Sequence, residues 1–168
     1  VWNSGGYDRV ETLAALEGKI QIYLPDYKYT DPDTARRYAG AADYPETARA
    51  AIREMVRQTG PYQLDENGIL TRGVILRHLL LPGGLNQAKE VMDWVAETFP
   101  PHTILFSLMS QYTPWGKAAD YPPLDRRLRK SEIRAAEAYF TNLGLDGFTQ
   151  GVEAAQADYI PTFDLTGV

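Results

Sequence analysis

The chain has 168 residues, of which 44% are hydrophobic and 23% charged, with a net charge of −5. This length fits a single domain able to bury a substantial core, the composition excludes a disordered chain, and the acidity weighs against a general nucleic-acid binder. There is no cysteine and there are only two histidines, His78 and His102. Disulfides, thiol nucleophiles, thiolate zinc sites and cysteine-held iron–sulfur clusters are therefore excluded from this chain, and a self-contained histidine metal site is not expected. No apolar run approaches the roughly 20 residues of a membrane span, and no signal-peptide pattern opens the sequence. A cytoplasmic protein without membrane contact is expected.

Four apolar runs each end in a polar or glycine turn followed by a helical pattern, the signature of parallel βα units buried on both faces. The first run, Val1–Asn3, leads into Ser4-Gly5-Gly6-Tyr7, and a helix over Asp8–Glu17 follows, its buried stripe formed by Val10, Leu13, Ala14 and Leu16. Gly18 stops it. The second run, Ile20–Leu24, leads into Pro25-Asp26-Tyr27-Lys28. Thr30-Asp31-Pro32 then reads as a cap with proline at the first helical position, and a short helix runs to Tyr38. Asp43-Tyr44-Pro45 repeats that start signal for a helix running to Gln58, with Ala48, Ala51, Ile52, Met55 and Val56 inward.

The segment Tyr62–Arg72 breaks this rhythm. Asn67-Gly68 is a tight-turn signal, and a small β-hairpin is expected there. Val74–Leu81 is the most hydrophobic strand and ends in Pro82-Gly83-Gly84. Asn86 is read as the cap of a helix over Gln87–Phe99. Ile104–Met109 is the fourth strand, followed by Ser110-Gln111-Tyr112. Gln111 to Lys130 carries Pro114, Pro122 and Pro123 with little periodicity, and a loop of that length is usually functional. The basic run Arg126–Lys130 reads as a solvated lead-in to a final helix, capped by Ser131 and ended by Gly144. An aromatic tail, Tyr159–Asp164, is expected to pack rather than float.

Parallel βα units place their ligand groups at the carboxyl ends of the strands. Asp26 and Lys28 lie two residues apart and project from one face, offering an acid and an ammonium to one ligand. An α-amino acid moiety carries the complementary charges; an intramolecular salt bridge is the alternative. Asn3 and Ser4 offer side-chain oxygens in a turn whose two glycines, Gly5 and Gly6, let its backbone approach a ligand closely. Arg77 and His78 interrupt an apolar strand, where charge is expensive without a partner or a polar cavity. Alternation puts them on opposite faces, with Arg77 read as inward and His78 as a hydrogen-bonded packing residue. His102, at the other end of its strand, reads as structural. Gln111 adds a neutral hydrogen-bonding group suited to a nucleoside. No Ser-His-Asp order, P-loop, dinucleotide fingerprint or HExxH is present.

In this order, the turns resemble the radical S-adenosylmethionine (SAM) proteins, specifically the relatives of pyruvate formate-lyase activating enzyme. The resemblance is carried by Val1-Trp2-Asn3-Ser4-Gly5-Gly6-Tyr7, Tyr23-Leu24-Pro25-Asp26-Tyr27-Lys28, Leu76-Arg77-His78-Leu79-Leu80-Leu81-Pro82-Gly83 and Ser107 to Lys117. It implies an α/β fold forming the C-terminal portion of a partial (β/α)6 TIM-like barrel, one domain over residues 1–168 with the hairpin as an insertion. It also implies that Asp26 and Lys28 hold the amino-acid end of SAM, that Asn3 and Ser4 flank it, and that Arg77 reaches its sugar or carboxylate.

The sequence departs from the pattern in three places. Asn3 stands where activating enzymes commonly carry an acid, and Thr113 where they carry a histidine. The CxxxCxxC cluster motif is missing and would lie upstream of Val1. In an intact relative, the 4Fe-4S cluster would donate an electron to SAM and generate a 5′-deoxyadenosyl radical; this chain would instead orient the cofactor. The resemblance further implies a glycyl radical enzyme or another protein as partner. Self-association through the open Val1–Asn3 edge is also expected. The competing reading is a non-catalytic βα binding module with a structural Asp26–Lys28 pair.

Overall fold

The computed structural model describes residues 1–150. The strands are β1 (Trp2–Ser4), β2 (Ile22–Pro25), β3 (Gln63–Leu64), β4 (Leu70–Leu79), β5 (Ile104–Met109) and β6 (Gly147–Gln150). The helices are α1 (Val10–Ala14), α2 (Pro32–Ala39), α3 (Tyr44–Thr59), α4 (Leu85–Thr98) and α5 (Lys130–Leu143). The main sheet runs β1-β2-β4-β5-β6, every pair parallel, with β3 added antiparallel to β4.

Each main strand thus lies beside the one before it in the chain. Right-handed crossovers between parallel neighbours then place all the intervening helices on one face of the sheet. Burial agrees: Tyr23, Val74, Leu76, His78 and Phe106 are buried and join helix residues such as Ile52, Met55, Val91 and Ile133 in one core. The alternate residues Leu24, Asp26, Ile75, Arg77, Leu79 and Met109 are only half buried, and they form the other face of the sheet. Helices on one side of a sequential parallel sheet are the arrangement of a barrel wall, in which the second face looks inward.

Local chemistry accounts for most boundaries. Asp31 caps α2 through a 2.7 Å bond from the Thr34 amide to its Oδ2, with Pro32 in the first turn. The hairpin forms around Asp65, whose Oδ1 accepts from the Asn67 and Ile69 amides. Its return strand is continuous with the apolar run, so β4 starts at Leu70 rather than Val74. Gly73 makes the junction possible at φ 131°, since a Cβ there would come within 2.7 Å of the Tyr62 Cα.

Other assignments also differ from the sequence reading. α1 is a short turn of helix in which Leu13 alone is buried, and the chain from Leu16 to Lys19 winds as i→i−3 turns. Asn86 and Ser131 lie inside their helices, whose N-caps are Gly84 and Arg129 without side-chain capping from Asn or Ser. Gly147–Gln150, left without a structure in the sequence, pairs with β5 as a sixth strand. The tail Tyr159–Asp164 lies outside the described residues. No helix among the described residues is long and apolar enough to cross a membrane.

The basic run Arg126–Lys130 is not merely solvated. Arg126 donates from Nη1 and Nη2 to the Glu132 carboxylate at 2.8 and 2.9 Å. The same carboxylate accepts from the Arg129 amide at 2.7 Å and from the Gly83 amide at 2.8 Å. One acid therefore joins the start of α5, the end of the long loop and the turn after β4. The Arg126 guanidinium and these amides hold its pKa down at about 2. The folded value lies below the ordinary one, so the stability Glu132 contributes is present above about pH 4.5 and is lost as pH falls toward 2. Glu132→Gln is expected to lose about 1.5–3 kcal/mol at neutral pH. Urea titrations below and above the carboxylate range should show a shallower acid dependence in the variant than in the parent chain.

Candidate functional site

The site lies at the carboxyl ends of β1, β2, β4 and β5. Asp26 follows β2 and pairs across an isolated parallel bridge with Arg77 of β4, while Arg77 in turn stands opposite Ser107 of β5. Paired residues in a parallel ladder project from the same face. Asp26, Arg77 and Ser107 therefore form one transverse row on the inner face, and continuation of the register puts Lys28, Leu79 and Met109 in the next row toward the mouth.

Arg77 Nη2 approaches Asp26 Oδ1 at 2.7 Å and donates to Asn3 Oδ1 at 2.7 Å. The Asp26 approach is an ion contact rather than an aligned hydrogen bond, since Oδ1 has no directed donor among the described residues. Lys28 Nζ stands 3.8 Å from Asp26 Oδ2, at the outer limit of an ion pair, and its side chain is half exposed. The principal partner of Asp26 is thus Arg77, 51 positions further along the sequence. Three buried polar atoms in the neighbourhood lack a partner among the described residues: Arg77 Nε, Ser107 Oγ and Gln111 Oε1. Buried polar groups left unpaired are uncommon and costly, and a polar ligand reaching this face could pair with these three.

Asn3, Asp26, Lys28 and Arg77 come together as one set. Ser4 does not offer its hydroxyl to it: Ser4 Oγ donates to Asp8 Oδ2 at 2.5 Å and accepts from the Gly6 amide, which shapes the first turn. Gln111 lies at the β5–β6 end, its Nε2 donating to Gln150 Oε1 at 3.0 Å. His78 faces the helix layer, buried, with Nδ1 2.7 Å from the Tyr27 carbonyl oxygen. A carbonyl only accepts, so Nδ1 carries the proton. Burial holds the pKa of His78 below its ordinary value and keeps the ring neutral. His102, at the opposite end of β5, is exposed and pairs with Asp146 at 3.0 Å.

One organising residue escaped the sequence reading, and it works with a turn glycine that the reading assigns to ligand approach. The hydroxyl of Tyr44, at the start of α3, accepts from the Lys28 amide at 2.9 Å and lies 2.9 Å from the Gly5 oxygen and 3.0 Å from that of Asp26. It ties the first two turns together, and burial raises its pKa, so it remains a phenol. Gly6 permits the approach, because a Cβ there would lie 2.1 Å from the Asp26 carbonyl oxygen, with φ at 78°. A tyrosine flanked by Asp and Pro looks like a helix start, and nothing local signals a reach of this kind.

A cleft of about 470 Å³ opens onto this set: Asp26 and Lys28 line it together with residues of the long loop. Tyr112 and Trp115 of that loop line it with Tyr29, Tyr38, Leu79 and Met109.

No family model matches the chain. It is 29% identical over 147 residues to an uncharacterised protein of Methanocaldococcus jannaschii, an alignment covering 87% of this chain. The chain spans 39% of that relative's length. Among solved structures, it resembles the crystal structure of a domain of a pyruvate-formate lyase-activating enzyme from Bacteroides vulgatus, with a TM-score of 0.59 and 16% identity. That likeness covers 85% of this chain and 75% of the other. The fold is therefore an α/β arrangement of parallel strands and alternating helices of the kind found in that domain.

Tyr44→Phe is expected to destabilise the chain by about 1–3 kcal/mol, because the Lys28 amide and two carbonyls lose their partner. Denaturant titration gives the loss. Hydrogen exchange at the Lys28 amide should accelerate beyond the global change if the phenol is the clasp described.

Proposed function

We propose that this chain supplies part of the cofactor site of a radical SAM protein resembling the glycyl-radical activating enzymes, and that its role is to orient SAM. The observation that carries the reading is the row Asp26–Arg77–Ser107 with its unpartnered polar atoms, set at the carboxyl ends of sequential parallel strands. The likeness of the fold to an activating-enzyme domain supports it.

The donor set suits SAM. The amino-acid end of that molecule presents an ammonium and a carboxylate, which Asp26 and Lys28 match in sign. Arg77, held by Asp26 and Asn3, keeps Nε free for a carboxylate or ribose oxygen, and Ser107 and Gln111 add neutral hydrogen-bonding oxygens. Ser4 contributes through the shape of its turn. Given one electron from a cluster held outside this chain, SAM would supply a carbon-centred radical able to abstract hydrogen from a substrate. Cluster chemistry does not fit this chain, whose sequence holds no cysteine to ligate iron. What its residues do is bind, neutralise and position.

The alternative, a binding module with a structural Asp26–Lys28 salt bridge, is disfavoured by their 3.8 Å separation and by the prior claim of Arg77 on Asp26. Calorimetric titration of the full chain with SAM tests the proposal. Saturable binding is expected, with Asp26→Ala, Lys28→Ala and Arg77→Ala each losing about 1.5–3 kcal/mol, the worth of a charge-assisted contact. Unchanged affinity in all three variants would return these groups to a structural role. Anaerobic reconstitution with iron and sulfide should leave the chain without a stoichiometric cluster, and iron analysis showing one would contradict the assignment.

A further inference from the structure

Asp26 and Lys28 are joined by two peptide groups, and all four polar atoms of those peptides are engaged. The Asp26 carbonyl oxygen lies 3.0 Å from the Tyr44 hydroxyl, and the Tyr27 amide donates to the Arg77 carbonyl at 2.9 Å. The Tyr27 carbonyl accepts from His78 Nδ1 at 2.7 Å, and the Lys28 amide donates to the Tyr44 hydroxyl at 2.9 Å. Arg77 offers backbone here, which any residue at its position would bring. Tyr44 and His78 are the side chains that grip the segment, one from α3 and one from β4.

His78 is costly to place. It is 2% exposed in the series Val74, Leu76, His78, Leu80, whose other members are apolar and buried, and Leu108 stands opposite it on β5. An aliphatic side chain would cover the same ground without burying two ring nitrogens, and a buried polar group is unfavourable unless it is hydrogen-bonded. One nitrogen is engaged by the Tyr27 carbonyl. For the other, a void of about 10 Å³ lined in part by His78, Lys28 and Gln87 has room for a single water. Packing alone therefore does not account for an imidazole at this position.

What the ring supplies is direction. The bridge between Asp26 and Arg77 is the last between β2 and β4 among the described residues. Where a further rung would bring a strand amide to the Tyr27 carbonyl, the imidazole is the donor instead. The peptide between Tyr27 and Lys28 is thus restrained at its oxygen by His78 and at its nitrogen by Tyr44. Rotation of that peptide would swing the Lys28 side chain away from the inner face. On the other face of β4, Arg77 holds the Asp26 carboxylate at 2.7 Å. Consecutive residues of β4 grip consecutive residues of the turn, one from each side of the sheet.

We infer that His78 is a positioning residue of the ligand site: through the Tyr27 carbonyl, its Nδ1–H aims Asp26 and Lys28 at a ligand that the ring itself does not touch. The inference rests on the proposed SAM reading only for the identity of that ligand. A turn held in its binding form before the ligand arrives has less to lose in ordering when the ligand binds. Loss of the donor is therefore read in affinity and not in stability alone.

The test compares the full chain with His78→Asn, His78→Gln and His78→Leu, each checked for folding by circular dichroism. An asparagine amide can donate from the place of Nδ1, whereas the longer glutamine amide reaches toward that of Nε2. Nitrogen NMR of the ring in the parent chain is expected to show Nδ1 protonated and Nε2 unprotonated. His78→Gln and His78→Leu should weaken SAM at least fivefold in calorimetry. In both, the Lys28 amide should exchange at least tenfold faster relative to the Phe106 amide, which is bonded to the Asp146 carbonyl. His78→Asn should keep affinity and exchange within twofold of the parent. If His78→Leu does not fold, the contrast between Asn and Gln decides. Failure of the parent chain to bind SAM, with the Lys28 amide held by Asn and released by Gln, removes the cofactor reading and leaves His78 assigned. Parent-like affinity and exchange in the Gln variant, losses in Asn equal to those in Gln, or a ring protonated at Nε2 instead overturns the inference.

Discussion

The parallel register between β2 and β4 governs the placement of every charged group in the site. Pairing Tyr23 with Val74 carries forward to the bridge between Asp26 and Arg77, and only that alignment sets the carboxylate and guanidinium side by side. A slip of one residue would send Arg77 into the helix layer and bring the neutral His78 to the inner face. The cost of burying an unpaired guanidinium under α3 and α4 would exceed any gain from the new pairing. Alternation along β4, with Val74, Leu76 and His78 buried and Leu80 buried just beyond it, therefore protects the register as well as the core.

Two clasps hold the turns that carry this chemistry. Tyr44 reaches from α3 to the first and second turns, and Glu132 reaches from α5 to the third turn and to the loop that lines the cleft. Both belong to helices rather than to the sheet. The helix layer consequently does more than cover apolar strands: it fixes the relative positions of loops that the strands alone would leave free. Tyr44 does so with a neutral hydroxyl in a buried place, and Glu132 with a carboxylate at a half-buried one, which makes the second clasp sensitive to acid and the first not.

The clasps act on a sheet whose inner face is layered. Rows of residues across parallel strands form layers along the axis of a barrel-like wall. Here a polar layer lies beneath an apolar one, and an aromatic loop lines the cleft together with the upper layer.

Strand–turn–helix succession, most helix cores, the hairpin and the α2 cap were legible in the sequence because they depend on neighbours a few residues apart. Asp31 sits three positions from the amide it caps, and the period of α3 is written in Ala48, Ile52 and Met55. The same local logic put Asp26 with Lys28 on one face and set Arg77 opposite to His78. What the sequence could not decide was partnership over distance. Arg77 rather than Lys28 is the close partner of Asp26, Ser4 turns to Asp8, Tyr44 binds two turns 16 and 39 positions away, and Gly147–Gln150 becomes a strand because β5 offers it an edge. These outcomes follow from which backbone edges and polar groups meet once the core has closed, a matter of three-dimensional contact that residue spacing along the chain does not encode.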